Sequence, residues 1–320
     1  MKILAVQNRM GIGDTVIFLP FIKALYKKYN SPISLLVKEN SKADQYLYRT
    51  NYIDKIIILE RDNRNNNRHS GIKGLLNLIN DLKKHNFDKI FIFNSSLRFN
   101  LIARFSKIPE IYQYPLFSKS KQHITNTPKK FLKEKLNLEI NEDPEIQIDN
   151  SFILESVQKF QINKNELNIL LGIGGSGPTK RIPAKTFLNV MNRISEIKRC
   201  KFFLATGKNT EEQLILNEIL DSKFKNFCHR LDDLTIKQTL PIIKCCDLSI
   251  CNDTSFSHLS AALNIKTITL MADTPLIYGN YNSKMFPIIP DGENTVEHNT
   301  LGKDKINPEK IFNKAIEILN

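Results

Sequence analysis

The amino-acid sequence predicts an α/β protein made of two consecutive halves, each a parallel sheet covered by helices. Three observations predict it. Short, almost wholly apolar runs such as ILAVQ (3–7) and LNILLGI (167–173) alternate with helix-periodic stretches. That alternation is expected of parallel strands buried on both faces. It stops over about 115–165, in a polar, Lys- and Asn-rich stretch carrying NEDPE (141–145), and then begins afresh. Finally, glycines, hydroxyls and charged residues gather in turns that follow strands, where such sheets bind their ligands.

Taken in order, the first half reads as strand 3–7, helix 14–29, strands 33–38 and 55–59, helix 72–85, strand 89–94 and helix 97–105. The second half reads as strand 167–173, helix 183–197, strand 201–207 and helix 210–220. Helix 236–244, strand 247–251, helix 254–263 and strand 266–271 follow. NPEKIFNKAIEIL (307–319) opens with an Asn-Pro helix signal and is amphipathic. The expected organisation is a Rossmann-like domain over 1–160, a second over 161–305, and a terminal helix over 306–320 reaching back to the first domain.

Bulk properties narrow the function. The chain has 320 residues, 41% hydrophobic and 25% charged, which suits two globular domains. Its net charge of +13 suits an anionic partner such as nucleic acid, a phosphorylated glycolipid or a membrane face. A chain this rich in Lys, Asn and Ile also carries basic charge as plain compositional bias. The five cysteines lie in the second half without C-x-x-C or metal-ligand spacing, so a reducing cytoplasm and no bound metal are expected. VIFLPFIKAL is too short to span a membrane or serve as a signal.

Three turns carry the chemistry. In QNRMGIGDTVIFLP (7–20), Gly11 and Gly13 permit a tight strand-to-helix turn. Asp14 falls at the helix mouth, where it reads as an N-cap or as a functional acid. A dinucleotide fingerprint is incomplete, because Val16 stands where the third glycine belongs. In GIGGSGPTKRIPA (172–184), glycine amides, Ser176, Thr179 and Lys180 converge as a phosphate cradle or as a flexible charged loop. In CNDTSFSHLSAAL (251–263), Thr254 caps a helix, and Ser255 and His258 share its first-turn face. Backbone N–H groups there suit a diphosphate. Asp253 is expected to accept backbone N–H bonds and shape the turn.

These patches resemble, in order and over nearly the whole chain, glycosyltransferases of the heptosyltransferase family (family 9, lipopolysaccharide-core type). Gly13–Pro20 (GDTVIFLP) matches the family's G-D-hydrophobic-x-x-x-x-P. Thr179–Pro183 (TKRIP) matches K-[RH]-W-P with Ile182 for Trp. Asp253–Ala262 (DTSFSHLSAA) matches D-T-G-x-x-H-L-x-A-A with Ser255 for Gly. The resemblance implies a GT-B fold, two Rossmann-like domains facing each other across a cleft. It also implies inverting, metal-independent heptose transfer from an ADP-sugar to a lipopolysaccharide-type or other anionic glycan acceptor.

By the same resemblance Asp14 is the general base. Ser176, Lys180, Thr254, Ser255, Phe256 and His258 hold the donor diphosphate, with Gly13, Thr179 and Asp253 shaping the site. Glu211 and Leu234 meet the nucleoside. Arg61, Arg64, Arg68 and Arg98 meet the acceptor. No cofactor and no nucleic acid are implied, and the expected place is the cytoplasm, in peripheral contact with the inner membrane. A GT-B enzyme using another nucleotide sugar, an epimerase, or a non-catalytic sugar-nucleotide-binding module are the alternatives the residues leave open.

Overall fold

The structure, a computed structural model, describes residues 1–9, 11–61, 67–116 and 123–320. The chain forms two compact units, Met1–Pro144 and Glu145–Asn320. The expected boundary at 160 therefore moves upstream. Residues 145–160 belong to the second unit because their apolar side chains are used there. The Phe160 ring meets Phe203 edge-on at 6.3 Å, and the Ile146 amide donates to the Ala262 carbonyl.

In the first unit β1 (Ile3–Gln7), β2 (Ile33–Lys38), β3 (Ile53–Leu59), β4 (Lys89–Ile92) and β5 (Glu110–Gln113) form an all-parallel sheet of order β3-β2-β1-β4-β5. β1 is buried along its whole length, because α1 (Ile12–Tyr29), α2 (Gly71–Lys83) and α3 (Leu97–Phe105) supply apolar cover. α1 contributes Val16, Ile17, Phe18, Leu19, Phe21, Ile22 and Leu25. α2 and α3 close a core with Leu4, Val6, Ile90 and Ile92. α4 (Asn126–Leu136) adds Phe131, edge-on to Phe93 at 5.7 Å.

In the second unit β6 (Leu167–Gly172), β7 (Cys200–Ala205), β8 (Cys228–Arg230), β9 (Leu248–Asn252), β10 (Thr267–Leu270) and β11 (Met285–Ile288) form a parallel sheet of order β11-β10-β9-β6-β7-β8. Its helices are α5 (Asn150–Lys159), α6 (Ala184–Ile197), α7 (Thr210–Leu220), α8 (Ile236–Lys244), α9 (Ser255–Ala262) and α10 (Pro308–Leu319). The terminal helix, expected to reach back to the first domain, is part of the second. Ile311, Ala315 and Ile318 of α10 are buried in the core with Phe187 and Val190 of α6.

Three strands were not legible in the sequence: β5, β8 and β11. All are sheet edges of three or four residues, too short and too exposed to show a buried pattern.

The strand orders locate the ligand sites. In each sheet the chain winds outward in both directions from a central pair, β1/β4 and β6/β9. Ligands bind beyond the carboxyl ends of strands at such a switch point. The turns after β1, β6 and β9 are the three singled out from the sequence.

Candidate functional site

The β6/β9 switch point is built from both flanking turns. Asn252, the last residue of β9, donates its Nδ2 to the carbonyls of Ile173 and Gly174, each at 2.9 Å. This fixes the glycine-rich turn against the start of α9. Lys180 then reaches across the gap. Its Nζ donates to Asp253 Oδ2 at 2.8 Å, with Asp253 almost fully buried. Asp253 thus holds a lysine, where the sequence suggested backbone amides. The ammonium is the stronger partner for a buried carboxylate, and the turn brings it within reach.

His258 completes the cluster. It is buried, at 4% exposed. Its Nδ1 lies 2.8 Å from the Tyr281 hydroxyl, and its Nε2 lies 3.8 Å from Asp253 Oδ1. The two rings stack with centroids 5.6 Å apart. A nitrogen lone pair facing a carboxylate would be repelled, so Nε2 carries the proton and the Tyr281 hydroxyl donates to Nδ1. Burial lowers the His258 pKa below the ordinary imidazole value; Asp253 opposes this and Lys180 adds to it. His258 is therefore a neutral N–H donor at pH 7. Burial alone would raise the Asp253 pKa, but the Lys180 ammonium outweighs it and holds the carboxyl below its usual range.

The α9 mouth is capped as the sequence indicated. Thr254 Oγ1 accepts from the Phe256 amide at 3.3 Å, and Ser257 Oγ donates to the Thr254 carbonyl at 2.8 Å. Ser255 and Phe256 stay half-exposed at the first turn. The positive end of the helix thus opens beside Lys180 and His258.

The glycine-rich turn differs from a pure phosphate cradle. The Gly175 amide donates to Glu212 Oε1 at 2.8 Å, and Glu212 is buried. A Cβ on Gly174 would lie 2.5 Å from that same oxygen, and one on Gly207 would lie 2.4 Å from Oε2. These glycines exist so that the backbone can close around a buried carboxylate, which Asn209 Nδ2 also contacts. Ser176 is exposed at the tip of the turn. Thr179 bonds Asp273.

Arg181 donates Nε to the Gly175 carbonyl at 3.0 Å and pairs through Nη1 with Glu211. Glu211 remains largely exposed. Leu234 stands apart from the cluster, in a pocket of about 380 Å³ between α5 and α8 lined also by Phe152, Phe160 and Pro241.

Glu212 was missed in the sequence. Its spacing with Leu216 and Ile219 put it on the buried face of α7, and that was the available signal. Replacing Glu212 by alanine is expected to cost about 1–3 kcal/mol, since the Gly175 amide loses its buried acceptor. Urea denaturation measures this, and a change under about 0.5 kcal/mol, ordinary for a surface site, would deny Glu212 that role.

The first unit has its own switch point, β1/β4. Asn94 Nδ2 donates to Asn8 Oδ1 at 3.1 Å across it. Gly11 caps α1 with φ 98°, a left-handed value that favours glycine. The helix starts at Ile12, so Asp14 is its third residue and not its cap. Gly13 lies inside the first turn. The Asp14 carbonyl accepts from Gln7 Nε2 at 3.3 Å. Its carboxylate lies near Gly11, Oδ2 being 3.7 Å from where a Cβ there would stand.

Beside this turn, Arg98 donates to the Gly71 and His69 carbonyls at 2.8 and 2.7 Å. Burial, then the neighbouring Arg61, lowers its pKa. Arg68 is held by Asp81 at 2.7 Å, which ties it to α2. Arg64 lies outside the described residues.

Two parallel-sheet units with charged turns at their switch points are the GT-B architecture of glycosyltransferases. The chain belongs to glycosyltransferase family 9 (heptosyltransferase), whose model matches residues 75–289. Lipooligosaccharide heptosyltransferase 2 of Campylobacter jejuni is 27% identical, over 96% of this chain and 95% of its own. Among solved structures, a family 9 glycosyl transferase from Veillonella parvula aligns with TM-score 0.82 at 18% identity, covering 99% of this chain and 97% of its own. The E. coli ADP-heptose lps heptosyltransferase II aligns with TM-score 0.74 at 17% identity, covering 100% and 98%. These two likenesses establish the fold.

Proposed function

We propose that the protein transfers heptose from ADP-heptose to a lipooligosaccharide-type acceptor, in one inverting displacement that needs no metal. The observation that carries the reading is the Lys180–Asp253–His258 cluster at the mouth of α9. It places a lysine ammonium, paired with the Asp253 carboxylate, and an imidazole beside a helix N-terminus, chemistry that suits a diphosphate. ADP leaving from a sugar develops charge on its terminal phosphate, and these groups stabilise it without a metal ion. Ser176, Ser255, Thr254 and Phe256 border that position, Glu211 meets the ribose and Leu234 the base.

Asp14 takes the proton from the acceptor hydroxyl as its oxygen bonds to the anomeric carbon and the carbon–diphosphate bond breaks. Arg61 and Arg98, two cations near one another, favour an anionic group of the acceptor between them. The acceptor is lipid-anchored, so the enzyme works at the inner membrane face.

Purified protein, ADP-heptose and a heptose-deficient core glycolipid, followed by mass spectrometry with and without EDTA, test this. The expected result is a product heavier by one heptose, at equal rate in both. No product, together with equal calorimetric affinity for ADP and UDP, would overturn the reading. Loss of product only in EDTA would overturn its metal-free part.

A further inference from the structure

We infer that the outer face of α2 and α3 is the surface by which this protein sits on an anionic lipid bilayer. The inference rests on the reading of the acceptor as lipid-anchored, and assigns the docking surface that reading lacks. Among the described residues, the first unit exposes large apolar side chains on these two helices: Ile72 (84%) and Leu76 (55%) on α2, Leu97 (41%) and Phe105 (60%) on α3. Their spacing is regular. Ile72 and Leu76 are four apart, as are Leu97, the half-exposed Leu101 and Phe105, so each set forms one stripe along its helix.

The helices lie side by side and run the same way. Arg98 at the start of α3 donates to the carbonyl of Gly71 at the start of α2. Ser106, the C-cap of α3, donates Oγ to the Ile79 carbonyl at 3.4 Å. The two stripes are therefore neighbouring ridges. The inward residues of the same helices, among them Leu78, Leu82, Phe99 and Ile102, already fill the core. The outward residues are thus a second apolar face that the fold does not consume.

Charge decides the occupant. α2 and α3 carry Lys73, Lys83, Arg98 and Arg104 against one acid, Asp81. That acid is already matched by Arg68 and Lys84. Lys107 follows α3, exposed. A second copy of the chain would bring the same cations against themselves, whereas anionic headgroups complement them. Apolar side chains in the interfacial layer with a cationic rim above are the pattern of a helix lying in a membrane surface. Arg61 and Arg98, proposed to meet the acceptor, lie at one end of this face.

The test uses the full-length protein and no substrate, so its outcome is independent of whether ADP-heptose is the donor. Co-sedimentation is measured with vesicles of phosphatidylglycerol and phosphatidylcholine, and of phosphatidylcholine alone. Wild type is expected to pellet with the anionic vesicles only, less so at high salt. The variant Ile72→Ser/Leu76→Ser/Phe105→Ser is expected to partition at least about tenfold less, because binding scales with apolar area inserted. Its far-UV circular dichroism and its urea unfolding transition should match wild type, which shows that the first unit is intact. Lys73→Gln/Arg104→Gln should weaken binding mainly at low salt.

Equal partitioning of the triple variant and wild type would overturn the inference, as would wild type failing to bind either vesicle. A wild-type dimer in sedimentation velocity that the triple variant dissolves, without vesicle binding, would assign the face to a second copy instead.

Discussion

Replacing Asp14 by asparagine is expected to lower the transfer rate by about 10²–10⁴-fold, the range for loss of a general base. Donor affinity should be nearly unchanged, because Asp14 belongs to the first unit and the proposed diphosphate site is built from the second. The structure sharpens this experiment. Had Asp14 been the helix N-cap, asparagine would have substituted well. The cap is Gly11, and Asp14 lies three residues further on, inside the first turn. Asparagine there loses the basic oxygen and the favourable charge at the helix N-terminus, and the latter is worth only about 0.3–1 kcal/mol of stability. A rate loss far larger than the stability loss therefore isolates the proton-transfer role. Rates within threefold of wild type at saturating donor and acceptor would remove Asp14 from the chemistry.

The central strands and the turns that follow them were legible in the sequence because their constraints are local. A buried parallel strand must be apolar throughout, as β1 and β6 are. A switch-point turn must be small and polar, and the 172–184 and 251–258 stretches show it. What was not legible depends on pairs distant in sequence. Asp253 reads as a turn-shaping residue until the fold brings Lys180, 73 positions away, to its carboxylate. Tyr281 lies beyond β10 in an irregular stretch, and nothing in its own neighbourhood announces a bond to His258.

The arginines that follow β3 and β4 show the same limit from the other side. Arg61, Arg68 and Arg98 look alike in the sequence. Arg68 is neutralised by Asp81. Arg98 is spent partly on two backbone carbonyls that anchor the start of α2. Net charge reports none of this, since it counts groups and not their partners.

Replacing Lys180 by alanine should have two separable consequences, and the separation tests the cluster. ADP affinity should fall by about 1–3 kcal/mol, roughly 5- to 150-fold, through loss of a charge-assisted hydrogen bond to phosphate. Stability should also fall by about 1–3 kcal/mol, because Asp253 is left as a buried carboxylate without its ammonium. Adding Asp253→Asn removes that stranded charge. The double variant should therefore regain most of the stability while its ADP affinity stays low.

His258→Ala supplies the second arm. It should weaken ADP on its own, and its effect should not add to that of Lys180→Ala, because both would grip one diphosphate. Adenosine, lacking phosphate, should bind wild type and every one of these variants alike. Calorimetry with both ligands, alongside urea denaturation, reads every arm. Wild-type ADP affinity in Lys180→Ala would reduce the Lys180–Asp253 pair to a structural strut and move the phosphate site elsewhere. Unrestored stability in Lys180→Ala/Asp253→Asn would mean that the lysine's packing, and not its charge on Asp253, holds the turn in place.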